Sequence, residues 1–191
     1  MKKKTTIVTL ISMVAIAAVV CCFAFLSGKT RQTGADPAMN AVQKVLSRDM
    51  QNDYPSTVKE VAKYYTEIQR CLYNEEYTEE ELAQLCSRTR ELYDQELLQI
   101  NSEEHHLSQL SSEVEAFRTR KCQVVSISVA QSTNVDYFEE DGYSFARILC
   151  RYTIREDGEP GESQIIFLMR KDKDRHWKIY GWDQAGNVNP L

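Results

Sequence analysis

Several things are scarce in this 191-residue chain, and each scarcity narrows the reading. Seven glycines and four prolines are too few for a collagen-like, low-complexity or repeat-linker protein. Only three histidines are present, and none stands in an H-E-x-x-H arrangement. The six cysteines form no C-x-x-C pair, so neither a zinc ribbon nor a thioredoxin-type site is supported. Neither a phosphate-binding glycine loop nor a close carboxylate pair can be singled out, and no Ser-His-Asp or Cys-His pattern is evident. Basic residues are also short where they would matter for nucleic acid. Beyond Gly28, twenty Lys and Arg face twenty-eight Asp and Glu, a surplus of about eight negative charges. Binding to nucleic acid is therefore disfavoured, and no cofactor is indicated.

What is present begins with Lys2, Lys3 and Lys4, followed by an uncharged run from Thr5 to Gly28. As a helix at 1.5 Å per residue, such a run is long enough to cross a hydrocarbon layer of about 30 Å. It exceeds the usual apolar core of a signal peptide, and no small-x-small cleavage site is well placed. Cys21 and Cys22 fall inside it, but Val20 sits where lipoprotein processing prefers a small residue. The reading is an uncleaved anchor: residues 1–4 cytoplasmic, 5–28 spanning, 29–36 a polar linker, and 37–191 an extracytoplasmic domain. The three lysines outnumber Lys29 and Arg31, which sets the orientation. The membrane is thus one expected partner and the cell membrane the expected location.

The first half of the domain reads as four helices. Asp36–Pro37 opens the first, with Val42, Val45, Leu46 and Met50 on one stripe. Thr57 with Glu60 is a capping box before Val58, Val61, Ala62, Tyr65, Ile68 and Leu72. Thr78 with Glu81 is another, followed by a stripe running from Leu82 through Cys86, Leu92 and Tyr93 to Ile100. Asn101 or Ser102 caps the fourth, which carries Leu107, Leu110, Val114 and Phe117 and ends near Arg118, Arg120 and Lys121.

From Cys122 the apolar period shortens to two, first over Val125, Ile127 and Val129 and then, after a turn at 139–142, over Tyr143 to Arg155. Turns at 157–161 and 172–174 bound a strand through Ile165–Met169 and a last strand from Trp177 to Trp182. The expected architecture is α+β: about four helices packed on a curved four-stranded antiparallel meander. The last two strands are apolar on both faces. One face is covered by helices, so the other must line a hollow or meet a partner.

A run of helices followed by a meander ending in the aromatic strand HWKIYGW resembles the NTF2-like α+β cone over roughly residues 36–183. With the anchor and the segments VKEVAKYYTEI and ELYDQELLQIN, the chain looks like a member of an uncharacterised family of membrane-anchored proteins of Gram-positive clostridial bacteria. That resemblance implies an extracytoplasmic NTF2-like domain but no activity. Conjugation subunits and ring-building sporulation proteins share the same general plan, without a motif that aligns residue by residue.

Candidate residues follow from this layout. Tyr152, Phe167, Trp177, Tyr180 and Trp182 are the aromatic side chains of a pocket or interface. Arg147, Arg151 and Arg155 share one strand face and are candidate anion contacts, the plainer reading being a solvated face paired with glutamates such as Glu162. Cys71 and Cys86 are a candidate disulfide, with buried free thiols as the alternative. If the turn at 139–142 closes a regular hairpin, Cys150 faces Gln131 and is out of reach of Cys122. His105 and His106 point about 100° apart on a helix and read as a solvated helix start, and His176 as a surface turn.

The leading functional expectation is noncatalytic: a membrane-held extracytoplasmic domain that docks an unknown protein partner or itself through its sheet, in envelope assembly. The alternative is a small-ligand-binding or enzymatic pocket inside the cone.

Overall fold

The computed structural model describes residues 39–185, so the anchor, the linker and the Asp36–Pro37 helix start lie outside the described residues. Among the described residues no helix is long and apolar enough to cross a membrane. They form an α+β unit of five helices followed by an antiparallel sheet.

Helix α1 (Ala41–Leu46) carries the Val42 and Val45 stripe, and Asn40 caps it through a box with Gln43. Helix α2 (Val58–Asn74) starts at the Thr57–Glu60 box, and every apolar residue of its expected stripe is buried. It also buries Tyr64 and Cys71, because it lies between α1, the next helix and the sheet.

The third expected helix is in fact two. Helix α3 (Glu79–Arg90) begins at the Thr78–Glu81 box but stops before Leu92, and α4 (Gln95–Ile100) restarts under an Asp94 cap. Between them the backbone joins the sheet. Leu92 O accepts from Ile179 N–H at 2.8 Å, and Asp94 N–H donates to Ile179 O at 2.8 Å. These bonds occupy what would otherwise be a bare strand edge, and they outweigh the helical spacing of Leu92 and Tyr93.

Helix α5 (Glu103–Thr119) is capped by Ser102 and buries Leu110, Val114 and Phe117. It ends in a Schellman turn: Cys122 N–H donates to Phe117 O and Lys121 N–H to Arg118 O, with Lys121 at φ 54°.

Five strands follow: β1 (Gln123–Val129), β2 (Asp136–Glu140), β3 (Tyr143–Glu156), β4 (Glu159–Lys171) and β5 (Trp177–Gln184). The expected first strand is split, because a short 3-10 turn at Ser132–Asn134 separates β1 from β2, and both pair with β3. The sheet remains four positions wide, in the order β1 or β2, β3, β4, β5. Tight Asp-Gly turns with positive φ at both residues, Asp141–Gly142 and Asp157–Gly158, close the β2–β3 and β3–β4 hairpins. The second turn is thus two residues long, and Pro160 and Gly161 belong to β4. Cys150 stands opposite Val129 instead of Gln131, the inserted 3-10 turn having absorbed the difference.

Two bulges redirect side chains. The β1–β3 register shifts between Val124 and Ser126, so Val124 is buried and Val125 points out. Asn74 at the end of α2 fastens this bulge, donating to Val124 O and accepting from Val124 N–H. The β4–β5 register shifts between Leu168 and Met169, with Gly181 opposite the first and Ile179 opposite the second. Tyr180 is the extra residue, and Trp182 therefore shares the inner face with Ile179 and Trp177.

Candidate functional site

The helical side of the sheet is filled at one end. Ala146, Ile148, Met169 and Ile179 are fully buried there in one core with Val58, Val61, Leu85 and Leu92. Toward the other end a cavity of about 820 Å³ opens between α2, α5 and the sheet. Helix α5 packs on α2 and α3 and so stands over the sheet as a roof. Its cavity stripe is His106, Gln109, Leu110, Glu113, Phe117 and Arg120, a helical repeat that extends over about 21 Å. The floor is the far end of β3 and the near end of β4, from Tyr152 and Ile154 to Ser163, Ile165 and Phe167. Tyr65, Gln69 and Tyr73 of α2 form the wall, with Tyr93 and Trp182 at the β5 end.

Rings dominate the interior. Tyr65 meets Phe167 edge-on at 5.1 Å, Tyr73 lies 4.6 Å from Phe117, and Trp182 lies 5.9 Å from Tyr93 and 6.4 Å from Phe167. Burial pushes the Tyr93 phenol up to about 12 and raises those of Tyr65 and Tyr152 too. The Tyr73 phenol is raised by burial and by its hydrogen bond to the Glu113 carboxylate. All four are neutral hydroxyls near neutrality, suited to hydrogen bonding and unsuited to proton transfer there.

Polar and charged groups line the roof, the ends and the rim. Asn101 Oδ1 is buried without a hydrogen-bond partner. Glu113, Glu156, Glu159 and Glu162 lie along exposed edges, and Arg120 stands 3.8 Å from Glu156.

His106, expected in a solvated helix start, is half-buried against the cavity, whereas His105 is exposed. Its Nδ1 lies 3.4 Å from Cys86 Sγ, and its ring 5.6 Å from that of Tyr93. Burial, reinforced by Arg90, holds the imidazole below its ordinary range, and burial raises the Cys86 thiol. Both shifts favour a neutral thiol beside a neutral imidazole, the opposite of the thiolate–imidazolium pair that nucleophilic cysteine chemistry uses.

Of the five expected pocket aromatics, Tyr152, Phe167 and Trp182 come together at the cavity. Trp177 is buried at the filled end, where Tyr54 Oη donates to its carbonyl, and the Tyr180 bulge faces away. Tyr180 instead donates to Glu96, beside Arg170, which holds Asp94 through two bonds of 2.6 and 3.0 Å and Glu96 through one of 2.7 Å. Asp94 and the Arg170 side chain are both largely buried in this cluster.

Arg147, Arg151 and Arg155 line the outer face at four-residue intervals, about 13 Å apart along the strand, too far for one anion. Arg147 is held by Asp136 at 3.4 Å and covers the Phe138 ring. Cys71 and Cys86 are free, buried thiols, so the candidate bridge is not formed; Cys86 turns toward His106. His176 sits in the β4–β5 turn against Tyr54 and Asp172. Among the described residues no group of three or more His, Cys, Asp or Glu is placed to hold a metal ion.

The cavity's α2 wall and α5 roof were not singled out from sequence, although Tyr65 and Leu110 lay on expected stripes. A signal existed: Gln69, Tyr73, Gln109 and Glu113 put polar atoms beside an apolar stripe where a closed core would have none. No curated protein matches the chain at a significant level. A family model covers residues 1–182, and by that match the chain belongs to the family described as a domain of unknown function, DUF6715.

Proposed function

We propose that the domain binds a small molecule in the cavity under α5, and that the Thr5–Gly28 segment holds it on the outer side of the cell membrane. The observation that carries this reading is the volume of about 820 Å³ itself, since it falls in the range of ligand sites and is lined by aromatic rings together with polar and charged groups. A sheet packed solid along its whole inner face would have left no such space. The order of helices then meander, with a hollow between them, also supports kinship with the NTF2-like cones. The neutral phenols and the neutral Cys86–His106 pair favour binding over catalysis.

The test uses the full-length chain and a neutral solvatochromic naphthylamine probe, read through Trp182 in a Trp177→Phe background. Saturable one-to-one binding, abolished by Ser163→Phe in the cavity floor with the circular dichroism unchanged, is expected. Binding that is linear in probe, or indifferent to the plug, would overturn the reading.

A docking role has its own observation. Leu149, Ile166 and Leu168 form a half-buried row on the outer face, Leu149 standing opposite Ile166. If that row meets a second protein or copy, Ile166→Lys should abolish a crosslink formed in intact cells and leave probe binding untouched.

A further inference from the structure

Many rings elsewhere in the domain carry a cation, although among the described residues Tyr137 and Phe145 do not. Arg48 covers Tyr64, Arg118 covers Tyr77, Arg147 covers Phe138, Arg170 lies over both Tyr143 and Tyr180, Lys171 over Trp177 and Lys178 over Tyr54. The cavity rings depart from this pattern. Among the described residues no Arg or Lys lies over Tyr65, Tyr73, Tyr93, Tyr152, Phe167 or Trp182. Among the described residues the cavity rings thus carry no protein cation, and of them Tyr73 and Trp182 keep surface that a ligand can reach.

The charge around them has one dominant sign. Four carboxylates line the cavity, Glu113, Glu156, Glu159 and Glu162, against the single guanidinium of Arg120, which lies beside Glu156. Glu113 stands midway along the α5 roof and is oriented by the Tyr73 hydroxyl. At the other end Asn101 Oδ1 is an acceptor shielded from water and without a donor. An anionic ligand would meet four carboxylates against one guanidinium, whereas a protonated amine would find rings, carboxylates and an unpartnered amide oxygen.

We propose that the ligand is an organic ammonium cation: a protonated amine carried on an apolar or aromatic body long enough to lie under α5. This rests on the pocket reading given above and adds the sign and chemistry of the occupant. The apolar body packs on Tyr73, Ile165 and Trp182, and the ammonium group bonds to Glu113. Because the carboxylates are at an exposed rim, the preference for a cation should weaken as salt is raised.

Three probes of one shape test it on the full-length chain at neutral pH: 2-phenylethylammonium, 2-phenylethanol and phenylacetate, titrated by isothermal calorimetry. The cation should bind at least about tenfold more tightly than the alcohol, and phenylacetate most weakly. Glu113→Gln with Glu162→Gln, which keeps an acceptor for the Tyr73 hydroxyl, should erase most of that margin between cation and alcohol. Alcohol or phenylacetate binding as tightly as the cation would overturn the ammonium assignment and leave the pocket standing, provided Ser163→Phe still blocks them. A cation preference that survives both Glu→Gln changes would also overturn it. Failure of all three probes, together with failure of the neutral naphthylamine, would remove the pocket as well.

Discussion

One face of one sheet is built in two ways. Around Ala146, Ile148, Met169 and Ile179 it is sealed by α2, α3 and the Leu92–Asp94 segment, with no side chain in water. Around Tyr152, Ser163, Ile165 and Trp182 the same face lines the cavity, because α5 rests on α2 and α3 and bridges over it. Both ends use apolar residues in alternation, so hydrophobicity alone does not separate core from cavity. Polar neighbours do: the filled end sets aliphatic side chains beside Trp177, and the hollow end has several phenols, an indole and carboxylates. Stability should therefore reside at the first end and binding at the second.

The largest expected effect is at the seam of the filled end. Asp94 caps α4, anchors the segment that closes the β5 edge at Ile179, and holds a largely buried Arg170. Removing it leaves that guanidinium with the exposed Glu96 as its remaining carboxylate among the described residues. Asp94→Ala should cost about 3–5 kcal/mol, as breaking a buried ion pair does, whereas Glu162→Ala at the hollow rim should stay within about 0.5 kcal/mol. Urea unfolding followed by circular dichroism measures both, and comparable losses would erase the distinction between the two ends.

A pair of enlargements sharpens the contrast. Ala146 has no exposed surface, and a leucine there must push Met169 or its neighbours aside; about 1–3 kcal/mol should be lost. Ser163 faces the cavity opposite Tyr152, where a leucine has room, and its cost should be below about 1 kcal/mol. The same denaturant series decides this, and equal penalties would mean that the floor under α5 is packed.

How much of this was readable beforehand follows the same division. The capping boxes at Thr57 and Thr78, the Ser102 cap and the two Asp-Gly turns are local signals, and the structure has them all. Nonlocal competition was not readable. Leu92 and Tyr93 keep helical spacing, and only the presence of Ile179 across the fold draws their backbone into the sheet. Asp94 did offer a hint, being a good cap two residues before Glu96, but the uninterrupted stripe masked it. Bulges are similarly silent in sequence: the extra residue at Tyr180 brings Trp182 to the cavity and removes Tyr180 itself, so strand parity misassigned one of two neighbouring aromatics. The cavity arises from where α5 rests, and that depends on its contacts with α2 and α3, which no single stripe specifies.

The smallest expected effect concerns the roof of the hollow end and is read through pH. His106 is held below its ordinary value of 6.5, by burial first and then by Arg90, with a weak opposing pull from Glu113. As pH falls below that value, the unfolded chain takes up the proton before the folded one does, so stability must decline with acidification in the window just under 6.5. His106→Gln removes this slope, and the two proteins' unfolding free energies should converge between about pH 7 and about pH 5.5. Further loss near and below 4.5 should persist in both, because Glu60, held low chiefly by its bond from Ser56, remains in the variant. Since His106 is only half-buried, the difference should be small beside the loss from Asp94→Ala. Parallel curves through the whole range would place the imidazole in water, detach it from Cys86, and leave the α5 roof unfastened at its first turn.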